Sequence, residues 1–222
     1  SDGTRIFMKT NAIQNLDFFR RESTGLDALR SLDKIKIPRV LGAGTDKQRM
    51  ISFLALEYVE SAEKIPSYWE NFGHALAQLH REECRVFVCA EERKKEGDSR
   101  KGSWKYGFSE DNYIGSSPQI NNPKESWIDF YREYRLLPQL IRAEQYLETP
   151  IRKKADWLLE HLDSYLREPE FPSLIHGDLW GGNVLCGSDG KAWLIDPAAY
   201  VGDFEAELAM MQLFGGFPAE FY

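Results

Sequence analysis

The chain has 222 residues, of which 42% are hydrophobic, so it can bury a sizeable core in one or two domains without a disulfide scaffold. Its 28 basic and 35 acidic residues give a formal net charge of −7, which disfavours nucleic acids and anionic membranes as partners. No run approaches the ~20 apolar residues of a membrane span, and the start at Ser1 lacks the pattern of a signal peptide. We therefore expect a cytoplasmic protein without membrane contact.

The first sixty residues mix strand and helix patterns. Residues 4–9 are β-prone and follow a turn signal, which predicts a strand whose partner precedes it. Residues 15–32 carry apolar side chains close to the helical period, with Asn15 as the expected cap. The apolar run 50–59 is typical of a strand that is buried on both faces. Together these patterns predict a small sheet with one packed helix.

From about residue 61 the pattern becomes mainly helical. Apolar residues between 69 and 81 predict one helix, and two more helices fit residues 124–140 and 151–166. The side chains expected to face inward on the last helix are Trp157, Leu158, Leu162 and Tyr165. Residues 91–105 are polar and of mixed charge, which predicts a solvated loop.

Two groups of residues in this region suggest no site of their own. The cysteines have no C-x-x-C spacing, so they predict reduced thiols and no thiolate zinc site. The aromatic residues between 104 and 113 are more typical of packing than of a substrate channel. The cysteines are Cys84, Cys89 and Cys186, and the aromatic residues are Trp104, Tyr106, Phe108 and Tyr113.

The strongest chemical signal lies between His176 and Asp196. Residues 184–186 and 192–195 are β-prone and are joined by Gly-Ser-Asp-Gly, which predicts a hairpin. Because paired strands lie only ~4.8 Å apart, Asn183 before the first strand and Asp196 after the second should share one open end. Carboxamide and carboxylate oxygens suit Mg²⁺, which takes its other ligands from water and substrate phosphates. Asp178 should face whatever this metal holds.

The order His176, Asp178, Asn183 and then Asp196 resembles the catalytic loop and metal-binding aspartate of the protein-kinase-like fold. The sequence Asp-Pro-Ala that begins at Asp196 resembles the members of that fold that phosphorylate small molecules, and not the protein kinases. The resemblance implies an α+β, two-lobed architecture. Residues 1–60 would form a small α/β nucleotide-binding lobe, and residues 61–222 would form a larger, mostly helical catalytic lobe that carries the hairpin.

The same resemblance implies a nucleotide site in the small lobe. Lys9 resembles the strand lysine that contacts the α- and β-phosphates of ATP, and Glu22 resembles its ion-pair partner. The segment Glu57-Tyr58-Val59 resembles the interdomain hinge that binds adenine through its backbone. The glycine-rich hairpin that covers the nucleotide should precede Lys9, and eight residues are too few for it, so we expect a truncated small lobe.

Over nearly its whole length the chain resembles the fructosamine kinase (ketosamine-3-kinase) family. The segments that carry the resemblance are 106–108, 111–115, 118–121, 126–131, 176–183 and 214–218. The family implies phosphorylation of the 3-hydroxyl of a ketoamine by ATP with Mg²⁺, on small molecules or glycated proteins, and hence deglycation. Asp178 would orient the attacking hydroxyl, while Asn183 and Asp196 would hold the metal. Trp180 would offer its ring to the acceptor.

Two other functions stay open at this point. A kinase for an aminoglycoside or a choline-like alcohol would share the phosphoryl-transfer residues, because the fold does not fix the acceptor. A non-catalytic kinase-like scaffold would suit the missing glycine-rich hairpin but not the complete metal set. The oligomeric state is not predicted.

Three residues near the motif have simpler interpretations than catalysis. We expect His176 to hold the catalytic loop through hydrogen bonds. Glu205 and Glu207 follow Asp203 at a predicted helix start, where acidic side chains favour the helix dipole, so a capping role is expected for them.

Overall fold

The computed structural model describes residues 3–88 and 105–222. Cys89, Trp104 and the predicted loop 91–105, except for Lys105, lie outside these ranges. The strands are β1 Ile6–Ala12, β2 Val40–Asp46, β3 Ile51–Glu57, β4 Asn112–Ile114, β5 Ser117–Gln119, β6 Ser173–Ile175, β7 Val184–Cys186, β8 Ala192–Leu194 and β9 Tyr200–Gly202. The helices are α1 Leu16–Ser31, α2 Tyr68–His80, α3 Trp127–Tyr131, α4 Leu137–Ala143, α5 Thr149–Glu160 and α6 Phe204–Leu213.

Three strands form an antiparallel sheet in the order β1, β3, β2. The strand predicted at residues 4–9 is present as β1, but the partner it pairs with is β3, which follows it in the chain. In β3 the side chains of Ser52, Leu54 and Leu56 are buried and those between them are only half-buried. The prediction that β3 is buried on both faces is therefore wrong, because an antiparallel sheet needs cover on one face only.

Helix α1 provides that cover. Its buried residues Phe19, Leu26 and Leu29 belong to the same hydrophobic cluster as the inner face of β3. Asn15 precedes the helix, but its side chain donates to Asn11 Oδ1 at 3.0 Å and caps nothing. The predicted cap is wrong because a 3₁₀ turn over Ile13–Asn15 leads directly into α1. The small sheet with one packed helix is confirmed.

Helices are the main regular elements of the remaining described residues. α2 buries Tyr68, Phe72, Leu76 and Leu79. The helix predicted at 124–140 is observed as α3 and α4, joined by a π-helical turn over Arg132–Leu136.

The inward face predicted for residues 151–166 is largely wrong. Trp157 and Tyr165 are 50% and 60% exposed, whereas Leu162 is buried. α5 lies on the surface with no buried residue, and the Trp157 ring stacks on His161 at 4.4 Å instead of entering the core.

We call the β1–β3 sheet with α1 the small lobe, and everything from α2 onward the large lobe. The predicted boundary at residue 60 falls in the link between β3 and α2 and stays a prediction. One continuous cluster of buried side chains crosses this link, joining Ile35 and Leu56 to Phe72. The main chain also connects the lobes, since Leu194 N–H donates to the Lys36 carbonyl at 2.9 Å. Among the described residues, no helix has both the length and the apolar character to cross a membrane.

Candidate active site

The predicted hairpin is present and determines the site. β7 and β8 pair antiparallel, with Val184 opposite Leu194. Ile195 N–H then donates to the Asn183 carbonyl at 3.1 Å, which extends the pairing by one step. Asn183 and Asp196 consequently emerge at the same end of the hairpin, and both line a cavity of about 280 Å³. This is the arrangement that the sequence predicts.

Six of the predicted site residues line this cavity, which we call the catalytic cavity. They are Lys9, Glu22, Asp178, Trp180, Asn183 and Asp196. The rest of its lining is Phe18, Arg21, Asn112, Tyr113, Gly115 and Pro197. The predicted hinge segment is elsewhere: Glu57, Tyr58 and Val59 line a separate cavity of about 360 Å³ with the Gly187–Asp189 turn. The structure thus does not bring the hinge segment into the catalytic cavity.

Lys9 is held by two carboxylates from different parts of the chain. Its Nζ donates to the two Glu22 oxygens at 2.9 and 2.8 Å and to Asp196 Oδ1 at 3.0 Å. Burial by itself would lower the Lys9 pKa, but the charges of Glu22 and Asp196 raise it above its ordinary value. Burial raises the pKa of Glu22, and the Lys9 ammonium opposes that shift. The outcome is a charged ammonium fixed at the cavity wall.

Asn183 is oriented by Asp178. Asn183 Nδ2 donates to the Asp178 carbonyl at 2.8 Å and to Asp178 Oδ2 at 3.2 Å. Both amide protons are thereby used, and the carboxamide oxygen is the atom left for a ligand. Burial raises the pKa of Asp178, and the nearby Asp196 charge adds to the rise, against His176 and the Asn183 hydrogen bond.

The oxygen atoms at the open end of the hairpin fit a hard cation. Asp196 has a φ of +57°, a left-handed conformation that aspartate adopts more readily than most residues. Its Oδ1 accepts from Lys9, while within residues 3–88 and 105–222 no donor reaches Asp196 Oδ2 or Asn183 Oδ1. One carboxylate and one carboxamide oxygen at the same cavity suit Mg²⁺, which tolerates few protein ligands because it keeps its waters.

His176 supports the loop and does not face the cavity. Its ring is completely buried; Nε2 donates to the Ile195 carbonyl at 2.8 Å, and Nδ1 accepts Asp178 N–H at 3.3 Å. A carbonyl can only accept and an amide can only donate, so these two bonds define the neutral tautomer. Burial lowers the pKa of His176, in agreement with a neutral ring. The structural interpretation of His176 is confirmed.

Glu207 is the supporting residue that the sequence analysis missed. Its side chain is 1% exposed; Oε2 accepts Gly177 N–H at 2.9 Å, and Oε1 lies 2.8 Å from His80 Nε2. Glu205 and Glu207 lie in the first turn of α6, as predicted, but neither caps the helix: Asp203 does so by accepting Glu205 N–H at 2.9 Å. The available signal was weak: Glu207 lies four residues before Met211, which is buried on the same face of α6.

Gly177 lies between His176 and Asp178, where no other residue fits. Its φ is +79°, and an added Cβ would lie 2.2 Å from the Ala198 carbonyl oxygen. Glycine alone adopts such a backbone at no steric cost. The close approach of the two chain segments allows Ala198 N–H to donate to the His176 carbonyl at 2.9 Å.

The aromatic residues divide into two groups. Tyr106 and Phe108 are buried in the core, in line with the packing interpretation. Tyr113 both packs and lines the catalytic cavity, with its ring 3.9 Å from that of Phe18. Trp180 is 41% exposed at the cavity, and its ring centre is 6.2 Å from that of Phe214.

Comparison with known sequences identifies one family and several similar proteins. The sequence profile described as fructosamine kinase matches residues 1–222. A probable ketoamine kinase of Synechocystis sp. is 35% identical, over 98% of this chain and 67% of the relative. The chloroplastic protein-ribulosamine 3-kinase of Oryza sativa subsp. indica is 33% identical, over 100% of this chain and 60% of the relative. The chain therefore spans 60 to 67% of the length of these two relatives.

Solved structures share the fold. A Haemophilus somnus protein named for the fructosamine-3-kinases superposes with a TM-score of 0.79 at 29% identity, over 100% of this chain and 68% of its own. A Thermobifida fusca protein named in the same way has a TM-score of 0.76 at 36% identity, over 99% and 69%. An aminoglycoside phosphotransferase in a ternary complex with ADP and hygromycin B has a TM-score of 0.60 at 15% identity, over 94% and 64%. This last likeness concerns the fold alone.

Proposed function

Since the chain belongs to the fructosamine kinase family and has its two-lobed, protein-kinase-like fold, we propose that it is an ATP-dependent kinase for the 3-hydroxyl of ketoamines. One observation carries the proposal. Asp178, Asn183 and Asp196 line a single cavity together with the Lys9–Glu22 ion pair. The relatives named ketoamine kinase and protein-ribulosamine 3-kinase support the choice of acceptor.

Lys9 would bind the phosphates of the nucleotide. Its ammonium is charged and is held by Glu22 and Asp196 at 2.8 to 3.0 Å, so it can contact an anion without a search for the right rotamer. Glu22 acts through Lys9, because its two oxygens fix the ammonium from the α1 side. We also propose Glu57, Tyr58 and Val59 as the backbone contacts for adenine, on the family resemblance alone.

Asn183 Oδ1 and the Asp196 carboxylate would hold Mg²⁺ in the catalytic cavity. When bound, Mg²⁺ neutralises the negative charge of the phosphate oxygens and so assists their transfer. The two protein ligands flank β7 and β8 at the same open end of one hairpin, whose register keeps them in place. Asp178 fixes the Asn183 amide, so that the oxygen and not the nitrogen is presented.

Asp178 would orient the acceptor hydroxyl and take its proton. As the hydroxyl oxygen forms its bond to the γ-phosphorus, the bond from that phosphorus to the β,γ-bridging oxygen breaks, and the hydroxyl proton passes to the Asp178 carboxylate. Because the transition state of such transfers is loose, position matters more than basicity. His176 and Glu207 maintain that position, because they accept hydrogen bonds from the main-chain N–H groups of Asp178 and Gly177. The phosphorylated ketoamine is unstable, and its loss would complete deglycation.

The direct test is a panel of acceptors with the full chain, ATP and Mg²⁺. We expect phosphorylation of a small fructosamine or ribulosamine, detected as ADP release together with a phosphorylated adduct, and no turnover of an aminoglycoside or choline. Turnover of an aminoglycoside or choline alone would show that the acceptor is an alcohol other than a ketoamine. Binding of a ketoamine in the absence of ATP, with no turnover of any acceptor, would favour a non-catalytic scaffold.

Trp180 is proposed to contact the sugar or lysine part of the acceptor. Replacing Trp180 by Ala should raise the KM for the ketoamine roughly three- to tenfold, because a stacked ring contributes about 0.5–1.5 kcal/mol. The KM for ATP should not change, because the Trp180 side chain takes part in none of the hydrogen bonds that hold Lys9 or the Asn183 amide. Initial rates with each substrate varied in turn measure both constants.

The matched control for Trp180→Ala is Trp157→Ala, which removes another exposed indole, one that does not line the cavity. We expect both KM values to stay at the level of the unchanged protein in this control. An unchanged ketoamine KM in Trp180→Ala would remove Trp180 from the acceptor site.

A further inference from the structure

A junction between α1 and the β4–β5 hairpin forms one wall of the catalytic cavity. The Phe18 and Tyr113 rings stack with their centres 3.9 Å apart and their planes at 18°. Tyr113 OH also donates to Asp17 Oδ2 at 3.1 Å. Both rings line the same cavity as Asp178. The wall therefore contains one ring from each lobe.

Charged side chains join the same two elements. Arg21 donates to Asp17 at 3.3 Å on its own helix and forms an ion pair with Glu110, which lies just before β4. Each of the three groups is only partly exposed, so this arrangement is better shielded from solvent than an ordinary surface pair. We call the stacked rings and this ion pair the α1–β4 junction.

The large-lobe side of the junction is rigidly attached next to the active site. Asn112 Nδ2 donates to the Ala199 carbonyl at 2.8 Å, and Gln119 Nε2 donates to the Ala198 carbonyl at 3.1 Å. Gln119 also donates to Asn112 Oδ1 at 2.8 Å, and both side chains are buried. A satisfied buried network of this kind resists displacement. The β4–β5 hairpin is thus fixed to the segment that follows Asp196.

The small-lobe side of the junction carries the partner of Lys9. Phe18 and Glu22 are four residues apart on α1, so they lie on the same face of the helix, one turn from each other. Phe19, Leu26 and Leu29 face the core instead. A rotation or shift of α1 that separated Phe18 from Tyr113 would move the Glu22 carboxylate away from the Lys9 ammonium.

We propose that Phe18 and Tyr113 are positioning residues for the nucleotide site. Through the α1–β4 junction, the large-lobe hairpin holds α1 at the angle at which Glu22 orients Lys9. On this proposal both rings act through Glu22 and not through contact with the nucleotide. The inference rests on the proposed function in one respect, the assignment of Lys9 to the nucleotide phosphates.

The test measures ATP binding by titration calorimetry with the full chain and Mg²⁺, in the absence of any acceptor. Phe18→Ala should weaken ATP binding roughly three- to tenfold, the loss expected for one stacked aromatic pair. Tyr113→Ala should weaken ATP binding to the same extent, although it removes the ring on β4 and leaves the sequence of α1 unchanged. Tyr113→Phe keeps the ring and should lose less.

A double-mutant cycle separates positioning from general loosening. Glu22→Gln should weaken ATP binding by removing one of the two carboxylates that fix Lys9. Adding Phe18→Ala to it should cause no further loss if Phe18 acts through Glu22. Additive losses, or normal ATP binding in both Phe18→Ala and Tyr113→Ala, would overturn the proposal. Trp157→Ala, which breaks a stacked pair outside the junction, should bind ATP normally. Far-ultraviolet circular dichroism checks that each variant is folded.

Failure of the positioning role can be distinguished from failure of the proposed kinase function. Junction-dependent ATP binding with no turnover of ketoamines would support the positioning role and reject the acceptor. A folded chain that binds no ATP would reject both, because Lys9 would then have no nucleotide to contact.

Discussion

Asp178→Asn is expected to lower kcat for ketoamine phosphorylation by roughly 10²- to 10⁴-fold, the range for loss of a general base. Asparagine has almost the same shape but cannot take the proton of the acceptor hydroxyl. The loop should keep its conformation, because Asn183 also donates to the main-chain carbonyl of residue 178 at 2.8 Å. Initial rates at saturating ATP measure the loss, and calorimetric ATP affinity should stay within about twofold of its original value.

The pH profile provides a second readout for Asp178. Burial and the Asp196 charge raise its pKa, and the proposed role as proton acceptor requires the ionised form. The rate should therefore fall as the pH drops through a pKa above the ordinary aspartate value of about 3.9. That acid limb should be absent from the residual activity of Asp178→Asn. The exposed Asp163 provides the control, since Asp163→Asn should leave both the rate and the profile intact. A variant at Asp178 with near-normal kcat would contradict the assigned role.

Glu207→Leu is expected to lower the free energy of unfolding by about 2–5 kcal/mol. Leucine leaves the half-buried Gly177 N–H and the buried His80 Nε2 without their shared acceptor, and an unsatisfied buried group costs about 1–3 kcal/mol. Urea unfolding followed by circular dichroism measures the loss. Because Gly177 precedes Asp178, kcat should also fall in the protein that stays folded.

Two other substitutions provide comparisons for the loss of unfolding free energy in Glu207→Leu. Glu207→Gln retains one carbonyl oxygen as an acceptor, so its loss should be intermediate. Glu205→Gln changes an exposed acid on the same helix and should cost less than about 1 kcal/mol. A loss in Glu207→Leu no greater than in Glu205→Gln would mean that the buried bonds do not stabilise the loop.

The catalytic hairpin could be predicted from the sequence because its geometry is local. A short turn between two β-prone runs determines the strand register, and the register determines that Asn183 and Asp196 share one end. Lys9 and Glu22 are different, since nothing in their local sequence distinguishes them. Their contact between β1 and α1, within the small lobe, was predicted only through the family resemblance, and the structure shows it at 2.8 Å.

The errors came from contacts that local sequence does not encode. Helical periodicity shows which side chains of α5 share a face, but not whether that face meets a partner, and Trp157 is exposed. Glu207 has the sequence context of a capping residue, yet the approach of Gly177 and His80 makes it a buried acceptor. β2 contains Gly42 and Gly44, which weaken its strand signal, and it is stabilised by pairing with β3.

Gly177 also has a consequence for how this chain can diverge. Its positive φ and the 2.2 Å approach of a hypothetical Cβ to Ala198 exclude every side chain at this position, whatever the acceptor. Gly181, three residues before the hairpin, has open space around a hypothetical Cβ, and Trp180 is exposed. Substitution in this part of the loop is thus sterically possible at Gly181 and Trp180 but not at Gly177. A change of acceptor by way of the proposed Trp180 contact would therefore leave the loop geometry at Gly177 unaltered.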